Sequence, residues 1–283
     1  MKTEHILVIR FSALGDVAMT VPVVYSLAKQ YPNVRITMLS QKFARPFFEH
    51  MPHNVGFMEA DLKNEYHGVK GLNALYRRLM AKNFTAIADL HSVLRSQYLR
   101  MRFSIDRFNV AHIDKHRSDR RLITSQNDKH LHQLHTSFEN YADVFAALGY
   151  PVNVDFKTIY PEGKGNLSLL PETFQTRNEE DVWIGVAPFA AHKGKIYPEN
   201  QMEKALDLLS AKFPKSRIFL FGGGKNETET MRKWSERNKN VINASALLGG
   251  ISNELILMSH LDVMISMDSS NMHMASLVGT PVV

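Results

Sequence analysis

The chain has 283 residues, of which 44% are hydrophobic and 22% are charged. These are globular values, so they exclude a disordered or fibrous chain, and the length suffices for two packed α/β domains. Cysteine is absent, which excludes disulfides and thiolate zinc sites.

The chain shows no membrane or secretion signal in its sequence pattern. No apolar run approaches the roughly 20 residues that cross a bilayer. Residues 1–9 also lack the apolar region and the small-residue cleavage site of a signal peptide. The sequence therefore predicts a cytoplasmic protein.

Positive charge exceeds negative charge, with 34 Lys and Arg against 28 Asp and Glu, a net charge of +6. Much of the excess lies in residues 94–121, which read LRSQYLRMRFSIDRFNVAHIDKHRSDRR. Such a run is either a solvated surface or a face that binds an anionic partner, and the residues alone leave both open.

Strand and helix patterns alternate in the first half of the chain. A short, β-branched apolar run at 5–10 is typical of a buried parallel strand. Alternation of strands with helices predicts parallel βαβ units. Further strands are predicted at 34–40 and 84–90, and helices at 22–32, 71–83 and 137–150.

A second alternating series follows the uneven stretch 160–181, which is interpreted as an interdomain linker. The predicted domains are 1–165 and 166–283. Strands are predicted at 182–188, 217–224 and 261–268, each followed by a helical pattern. The final residues, TPVV, open another strand with nothing after it to cover it, which favours a chain truncated at its C-terminal end.

The first strand leads into the sequence RFSALGDVAM, which places Ser12, Gly15 and Asp16 at a strand-to-helix junction. Ligands of open parallel sheets bind outside the carboxyl ends of the strands, so this junction is a candidate site. Gly15 would permit an unusual backbone geometry or a close approach. Asp16 is either a helix cap or a functional carboxylate. The junction lacks the G-x-G-x-x-G dinucleotide pattern.

Two junctions in the second half suit a phosphate or a ribose. Lys193 and Lys195 precede a helix that Pro198 opens, and ammonium groups beside a helix N-terminus suit a diphosphate; the alternative is a solvated loop. The sequence FGGGKNETE places Glu227 and Glu229 after a glycine turn, where a carboxylate can accept hydrogen bonds from ribose hydroxyls. A plain turn is the alternative, and the G-K-[ST] ending of a P-loop is missing.

Two more junctions combine polar residues with histidines. The sequence SMDSSNMHMA ends a strand at Asp268, and capping alone would explain the serines that follow. The sequence ADLHSVLRS ends another strand. Neither it nor the histidines at 130, 132 and 135 shows H-E-x-x-H or matching carboxylates, so no metal site is predicted. The residues of interest are Asp268, Ser269, Ser270, Asn271 and His273, and Asp89, His91 and Arg95.

Together these junctions resemble glycosyltransferase family 9, the family of ADP-heptose:lipopolysaccharide heptosyltransferases. The most specific pieces are ILVIRFSALGDVAMTVPVVYSL, the KIYP that opens a helix, and DSSNMHMA; Ser270 departs from the glycine that often stands there. The resemblance implies an α/β GT-B fold, with two Rossmann-like, doubly wound parallel-sheet domains facing a cleft. It also implies an inverting transfer without a metal or another cofactor.

The resemblance implies a role for each junction. Asp16 matches the catalytic base, and the donor, an ADP-sugar such as ADP-heptose, would meet Lys195, Glu227, Asp268, Ser269, Ser270 and His273. An anionic acceptor, the lipopolysaccharide inner core or another glycolipid, would meet Ser12, Gly15, Arg95, Arg120 and Arg121. Under this interpretation nucleic acid is not a partner, and peripheral contact with the inner membrane is allowed.

Two alternatives from other classes stay open. A GT-B enzyme acting on a nucleotide sugar alone, such as an epimerase, would turn over without an acceptor. A non-catalytic anion-binding module would bind nucleic acid or a membrane with an affinity that falls steeply with salt.

Overall fold

The computed structural model describes residues 4–125, 131–161, 163–178 and 180–283. The chain divides into two compact units, an N-terminal unit, Met1–Phe156, and a C-terminal unit, Lys157–Val283. None of the helices in these described ranges is both long and apolar enough to span a bilayer.

The N-terminal unit contains one parallel sheet of five strands in the order β3-β2-β1-β4-β5. Helices follow the strands, as expected of βαβ units. The strands are β1 His5–Ile9, β2 Arg35–Ser40, β3 Val55–Glu59, β4 Ala86–Asp89 and β5 Asn109–His112. The α-helices are α1 Leu14–Ala18, α2 Val21–Gln30, α3 Gly68–Met80, α4 Leu94–Ile105, α5 Arg117–Ile123 and α6 Ser137–Ala147, and Lys42–Phe48 forms a 3₁₀ segment.

Strand β1 lies at the centre of this sheet and is buried along its whole length. Leu7 and Ile9 pack in a cluster with Leu75 and Leu79 of α3 and Phe103 of α4. The residues between them are equally buried, because the sheet is covered on both faces. This double burial is what the uninterrupted apolar run of β1 indicates.

The C-terminal unit contains a second parallel sheet, of four strands in the order β8-β7-β6-β9. Its core packs Ile184 and Val186 against Leu206 and Trp234. The strands are β6 Trp183–Ala187, β7 Arg217–Leu220, β8 Val241–Asn243 and β9 Val263–Ser266. The helices are α7 Glu199–Lys212, α8 Lys225–Arg237, α9 Ala244–Leu248, α10 Ile251–Met258 and α11 Ser270–Leu277.

The boundary between the units falls at 156/157 rather than at the predicted 165/166. Residues after 156 already bond to the C-terminal unit: the Ile159 amide donates to the Leu277 carbonyl at 2.9 Å, and the Gly165 amide donates to Ser259 Oγ at 2.9 Å. The predicted strand at TPVV is reduced to one isolated bridge between Met264 and Val282.

Candidate active site

Each sheet reverses its strand order at one point, between β1 and β4 in the N-terminal unit and between β6 and β9 in the C-terminal unit. In open α/β sheets this switch point leaves a crevice outside the carboxyl ends of the strands, where ligands bind. Asp16 and His91 follow β1 and β4, and Lys195 and Asp268 follow β6 and β9. The strand order therefore brings the predicted junctions together in pairs.

The Asp16 carboxylate is held through one of its two oxygens. Arg10 Nη2 lies 2.7 Å from Asp16 Oδ2, and the Ala13 amide donates to the same oxygen at 3.1 Å. Arg10 is buried, and its Nη1 donates to the Leu90 carbonyl at 2.7 Å. Oδ1 has no hydrogen-bond partner within the described ranges, and the side chain is 42% exposed. Asp16 is thus fixed in position with one oxygen open to a ligand.

The helix-cap interpretation of Asp16 is only partly correct. The N-cap of α1 is Ala13, and Asp16 is the third helical residue. From that position the Asp16 carboxylate accepts a hydrogen bond from the backbone amide of Ala13. Gly15 lies inside α1 and is not among the glycines with positive φ. The helical backbone there suits any residue, so only a close approach remains as a structural reason for this glycine.

His91 connects the β4 junction to the loop after β1. Its Nδ1 accepts the Phe11 amide at 3.4 Å, so the neutral ring carries its proton on Nε2, which lies 3.5 Å from Ser12 Oγ. Burial, reinforced by Arg10 and Lys115, lowers the pKa of His91 to about 4. His91 is therefore a neutral hydrogen-bonding group at pH 7.

Asp89, fully buried at the end of β4, fixes the start of the loop that follows β4. Its Oδ1 accepts the amides of His91 and Ser92 at 3.0 and 2.9 Å, and its Oδ2 lies 3.3 Å from Arg100 Nη1. Because these contacts satisfy the carboxylate, Asp89 serves as a positioning group for His91.

The surroundings of Asp16 and His91 are positively charged. Lys115 Nζ donates to the Ser92 carbonyl at 3.3 Å, and Arg95 near the start of α4 is close enough to His91 to lower its pKa. Arg120 and Arg121 are exposed on α5, and no contact in the described part of the chain joins them to Asp16. Sequence reasoning missed Arg10 and Lys115, although Arg10 directly follows the buried run of β1.

In the C-terminal unit, Lys195 Nζ lies 2.5 Å from Asp268 Oδ2. Parallel pairing of β6 with β9 sets Ala187 opposite Ser266, so the loops that follow these strands meet. The Lys195 ion pair lowers the pKa of the Asp268 carboxyl, and His273 and His192 lower it further. Two residues that the sequence assigned separately thus form one charged cluster.

Helix α11 begins directly after this cluster. Ser269 is its N-cap, but its side chain makes no capping hydrogen bond and lies instead 3.5 Å from Ser266 Oγ; Ser270 is the first helical residue. The capping explanation of these serines is therefore not supported at Ser269. The backbone amides of the first turn of α11 and the hydroxyls of Ser269 and Ser270 lie next to Asp268 in the sequence.

The glycine turn after β7 distinguishes the two candidate ribose carboxylates. Glu227, the third residue of α8, folds back so that its Oε2 accepts the Gly223 amide at 2.8 Å. Glu229 is paired with Arg232 on the exposed surface of the same helix, at 2.8 Å. Only Glu227 faces the turn where the strand ends.

A pocket of about 520 Å³ lies elsewhere, at the amino-terminal half of β1 and β2, where His5, Arg35 and Thr37 contribute to its lining. Ligands of parallel sheets bind at the carboxyl ends, so the switch-point residues are the better candidate site. Among the described residues, no three His, Asp or Glu side chains converge as a metal site would require, and His130 lies outside those residues.

Two doubly wound units with polar clusters at their switch points define the GT-B class of fold. The sequence profile of "Glycosyltransferase family 9 (heptosyltransferase)" matches residues 72–283, so the chain belongs to that family. The matched range includes Lys195, Glu227 and Asp268 and begins after Asp16. Among curated proteins, none matches this chain significantly.

Solved structures give the same fold. Escherichia coli heptosyltransferase WaaC with ADP-2-deoxy-2-fluoro heptose is 18% identical, with a TM-score of 0.71 over 98% of this chain and 87% of that one. A Veillonella parvula family 9 glycosyl transferase is 18% identical, with a TM-score of 0.74 over 100% and 81%. E. coli ADP-heptose lps heptosyltransferase II is 19% identical, with a TM-score of 0.66 over 98% and 83%. UDP-N-acetylglucosamine 2-epimerases match less well, at a TM-score of 0.52.

Proposed function

We propose that this protein is an inverting, metal-independent glycosyltransferase that transfers a heptose or a similar sugar from an ADP-sugar to a lipopolysaccharide core acceptor. The observation that carries the proposal is the Asp16 carboxylate, fixed through Oδ2 and open at Oδ1 at a switch point of the sheet. Family membership supports the reaction class, and the solved WaaC complexes with ADP and an ADP-heptose analogue support the donor.

The N-terminal unit supplies the acceptor half of the reaction. As an acceptor hydroxyl attacks the anomeric carbon it loses a proton, and Asp16 Oδ1 takes that proton as general base. The Arg10 ion pair keeps the carboxylate in one orientation while the acceptor binds. Ser12 and the backbone at Gly15 lie beside this carboxylate and contact the acceptor.

The C-terminal unit supplies the donor half. The leaving nucleoside diphosphate gathers negative charge, which the Lys195 ammonium and the first turn of α11 stabilise without a metal. Asp268 accepts hydrogen bonds from donor sugar hydroxyls, with Ser269, Ser270 and His273 beside it. Glu227 accepts hydrogen bonds from the ribose, because its Oε1 is not used by the Gly223 contact.

An anionic acceptor accounts for the arginines of the N-terminal unit. Arg95 lies near His91, and Arg120 and Arg121 present exposed guanidinium groups on α5. Guanidinium groups bind phosphate and carboxylate oxygens in paired geometry, which suits the acidic sugars and phosphates of an inner core. Such an acceptor places the enzyme at the cytoplasmic face of the inner membrane.

The donor assignment is tested by thermal unfolding with nucleotides. A ligand that binds only the folded state raises its stability, so ADP is expected to raise Tm more than UDP or GDP at equal concentration. If no nucleoside diphosphate shifts Tm, the donor roles of Lys195, Glu227 and Asp268 are wrong. Turnover of a nucleotide sugar without any acceptor would favour the epimerase alternative instead.

A further inference from the structure

The outer face of α4 carries an apolar stripe. Leu94, Met101 and Ile105 are 85%, 49% and 66% exposed. Their spacing of seven and then four residues places them within one narrow strip of the helix, over a length of about 16 Å. Leu99 and Phe103, which are fully buried, lie on the opposite side against the sheet. We call Leu94, Met101 and Ile105 the α4 stripe.

This arrangement differs from an ordinary surface helix, whose water-facing side is polar. Single exposed apolar residues are common and need no explanation. Leu208 on α7 is such a case: it is 70% exposed, with Lys204 and Lys212 four residues away on either side. The α4 stripe instead aligns three large apolar side chains on one face.

Positive charge surrounds the α4 stripe. Residues 94–125 contain eight Lys or Arg against three Asp or Glu. Arg95 is exposed and lies along one side of the stripe, as helical spacing requires. Helix α5, which carries exposed Arg120, Arg121 and Leu122, begins near the start of α4, because Lys115 just before it donates to the Ser92 carbonyl just before α4.

We propose that the α4 stripe and its arginines dock this protein on an anionic lipid bilayer, with α4 lying in the plane of the interface. An apolar strip flanked by basic residues is the pattern of helices that lie in the headgroup region, and basic side chains are attracted to anionic lipid. The inference rests on the proposed function in one respect, since it gives a membrane-held acceptor direct access to Asp16.

The position of the stripe explains that access. Leu94 is three residues after His91, so the end of the stripe nearest the β4 junction lies next to the candidate acceptor site. A glycolipid could therefore present its sugar hydroxyl to Asp16 while its acyl chains stay in the bilayer.

The test is vesicle co-sedimentation of the full chain with phosphatidylcholine vesicles that contain phosphatidylglycerol, and with pure phosphatidylcholine vesicles. We expect binding to the anionic vesicles that weakens as salt rises, and little binding to the neutral ones. The triple variant Leu94→Gln, Met101→Gln and Ile105→Gln is expected to bind anionic vesicles about tenfold more weakly. Leu208→Gln, the matched control, is expected to bind as the wild type does.

Circular dichroism and Tm verify that the triple variant is folded. The proposal is overturned if the wild-type protein does not bind anionic vesicles, or if a folded triple variant binds them as strongly as the wild type does. A wild-type dimer that the triple variant dissociates would assign the stripe to a contact between two copies and overturn it as well.

Transfer to a lipid-free core saccharide separates this inference from the proposed function. That activity is expected to persist in the triple variant. Wild-type protein that transfers the sugar but does not bind anionic vesicles overturns only the docking surface. Wild-type protein that binds the vesicles but does not transfer the sugar overturns only the proposed function.

Discussion

Arg10 and Asp16 form an ion pair of 2.7 Å across the turn that joins β1 to α1. Arg10 is almost completely buried, whereas the Asp16 side chain is 42% exposed. The pair therefore anchors a partly exposed carboxylate to a buried cation. This relationship makes Asp16 testable separately as a cap and as a base.

Asp16→Asn is expected to leave the fold nearly intact, because the side-chain oxygen of Asn still accepts the hydrogen bond from the Ala13 backbone amide. It is expected to reduce the rate of transfer by about 10²- to 10⁴-fold, because Asn cannot take a proton from the acceptor. Loss of the partly exposed ion pair should lower the free energy of unfolding by about 1 kcal/mol. Urea unfolding and initial rates measure the two effects. Near wild-type turnover would return Asp16 to a capping role alone.

Lys195→Ala is expected to weaken ADP binding about tenfold or more, since a charge-assisted contact to a diphosphate is worth roughly 1.5–3 kcal/mol. Lys193→Ala is the matched control, because Lys193 stands in the same short 3₁₀ turn without a described ion pair. Isothermal titration with ADP gives both affinities. Equal losses in the two variants would indicate general charge attraction and contradict a specific contact.

Glu227→Gln is expected to raise KM for the nucleotide sugar several-fold with a smaller effect on kcat, because the ribose contact is made in the ground state as well. Glu229→Gln removes only an exposed pair with Arg232, so its kinetics should equal those of the wild type. Steady-state kinetics with varied donor concentration decide the assignment. If only Glu229→Gln raises KM, the ribose carboxylate is Glu229.

Stability is expected to fall as the pH drops from 6.5 towards 4. The unfolded state takes up the His91 proton near the ordinary pKa of 6.5, whereas folded His91 does so only near 4, so the unfolded state binds more protons in between. Burial lowers the pKa of His5 and His260 in the same direction.

His91→Gln should flatten this pH dependence by about 1–3 kcal/mol between pH 7 and pH 4. Urea unfolding at several pH values measures it. A profile as steep as that of the wild type would show that His91 is not held neutral by its surroundings.

Gly71→Ala is expected to destabilise the N-terminal unit by about 3 kcal/mol, because a Cβ there would lie 2.3 Å from the backbone carbonyl carbon of Tyr66. Gly56→Ala is the control, since its Cβ would find the Ile36 carbonyl oxygen at 3.9 Å. Urea midpoints of the two variants are compared. A smaller loss at Gly71 than at Gly56 would contradict the close approach at Tyr66.

Strands β1, β4 and β6, which the sequence predicted, are buried along their whole length. Strand β9 was also predicted, although it lies at a sheet edge and is only partly buried, because its residues form an apolar run. Strands β3 and β5 were missed because their residues lack such a run. Helix α4, which lies within the basic run 94–121, was also not predicted, because its outer face carries apolar residues where that of an ordinary surface helix is polar.

The α/β class, the family resemblance and the junctions that hold Asp16, Lys195 and Asp268 could be predicted from the residues alone, since they follow from local patterns of burial and turn residues. Which junctions meet depends on the order of the strands in the folded sheets. Parallel strands pair without regard to their separation along the chain, so β6 beside β9 joins Lys195 to Asp268, and β1 beside β4 joins Ser12 to His91. No local pattern encodes that strand order, because it depends on how all the strands pack together.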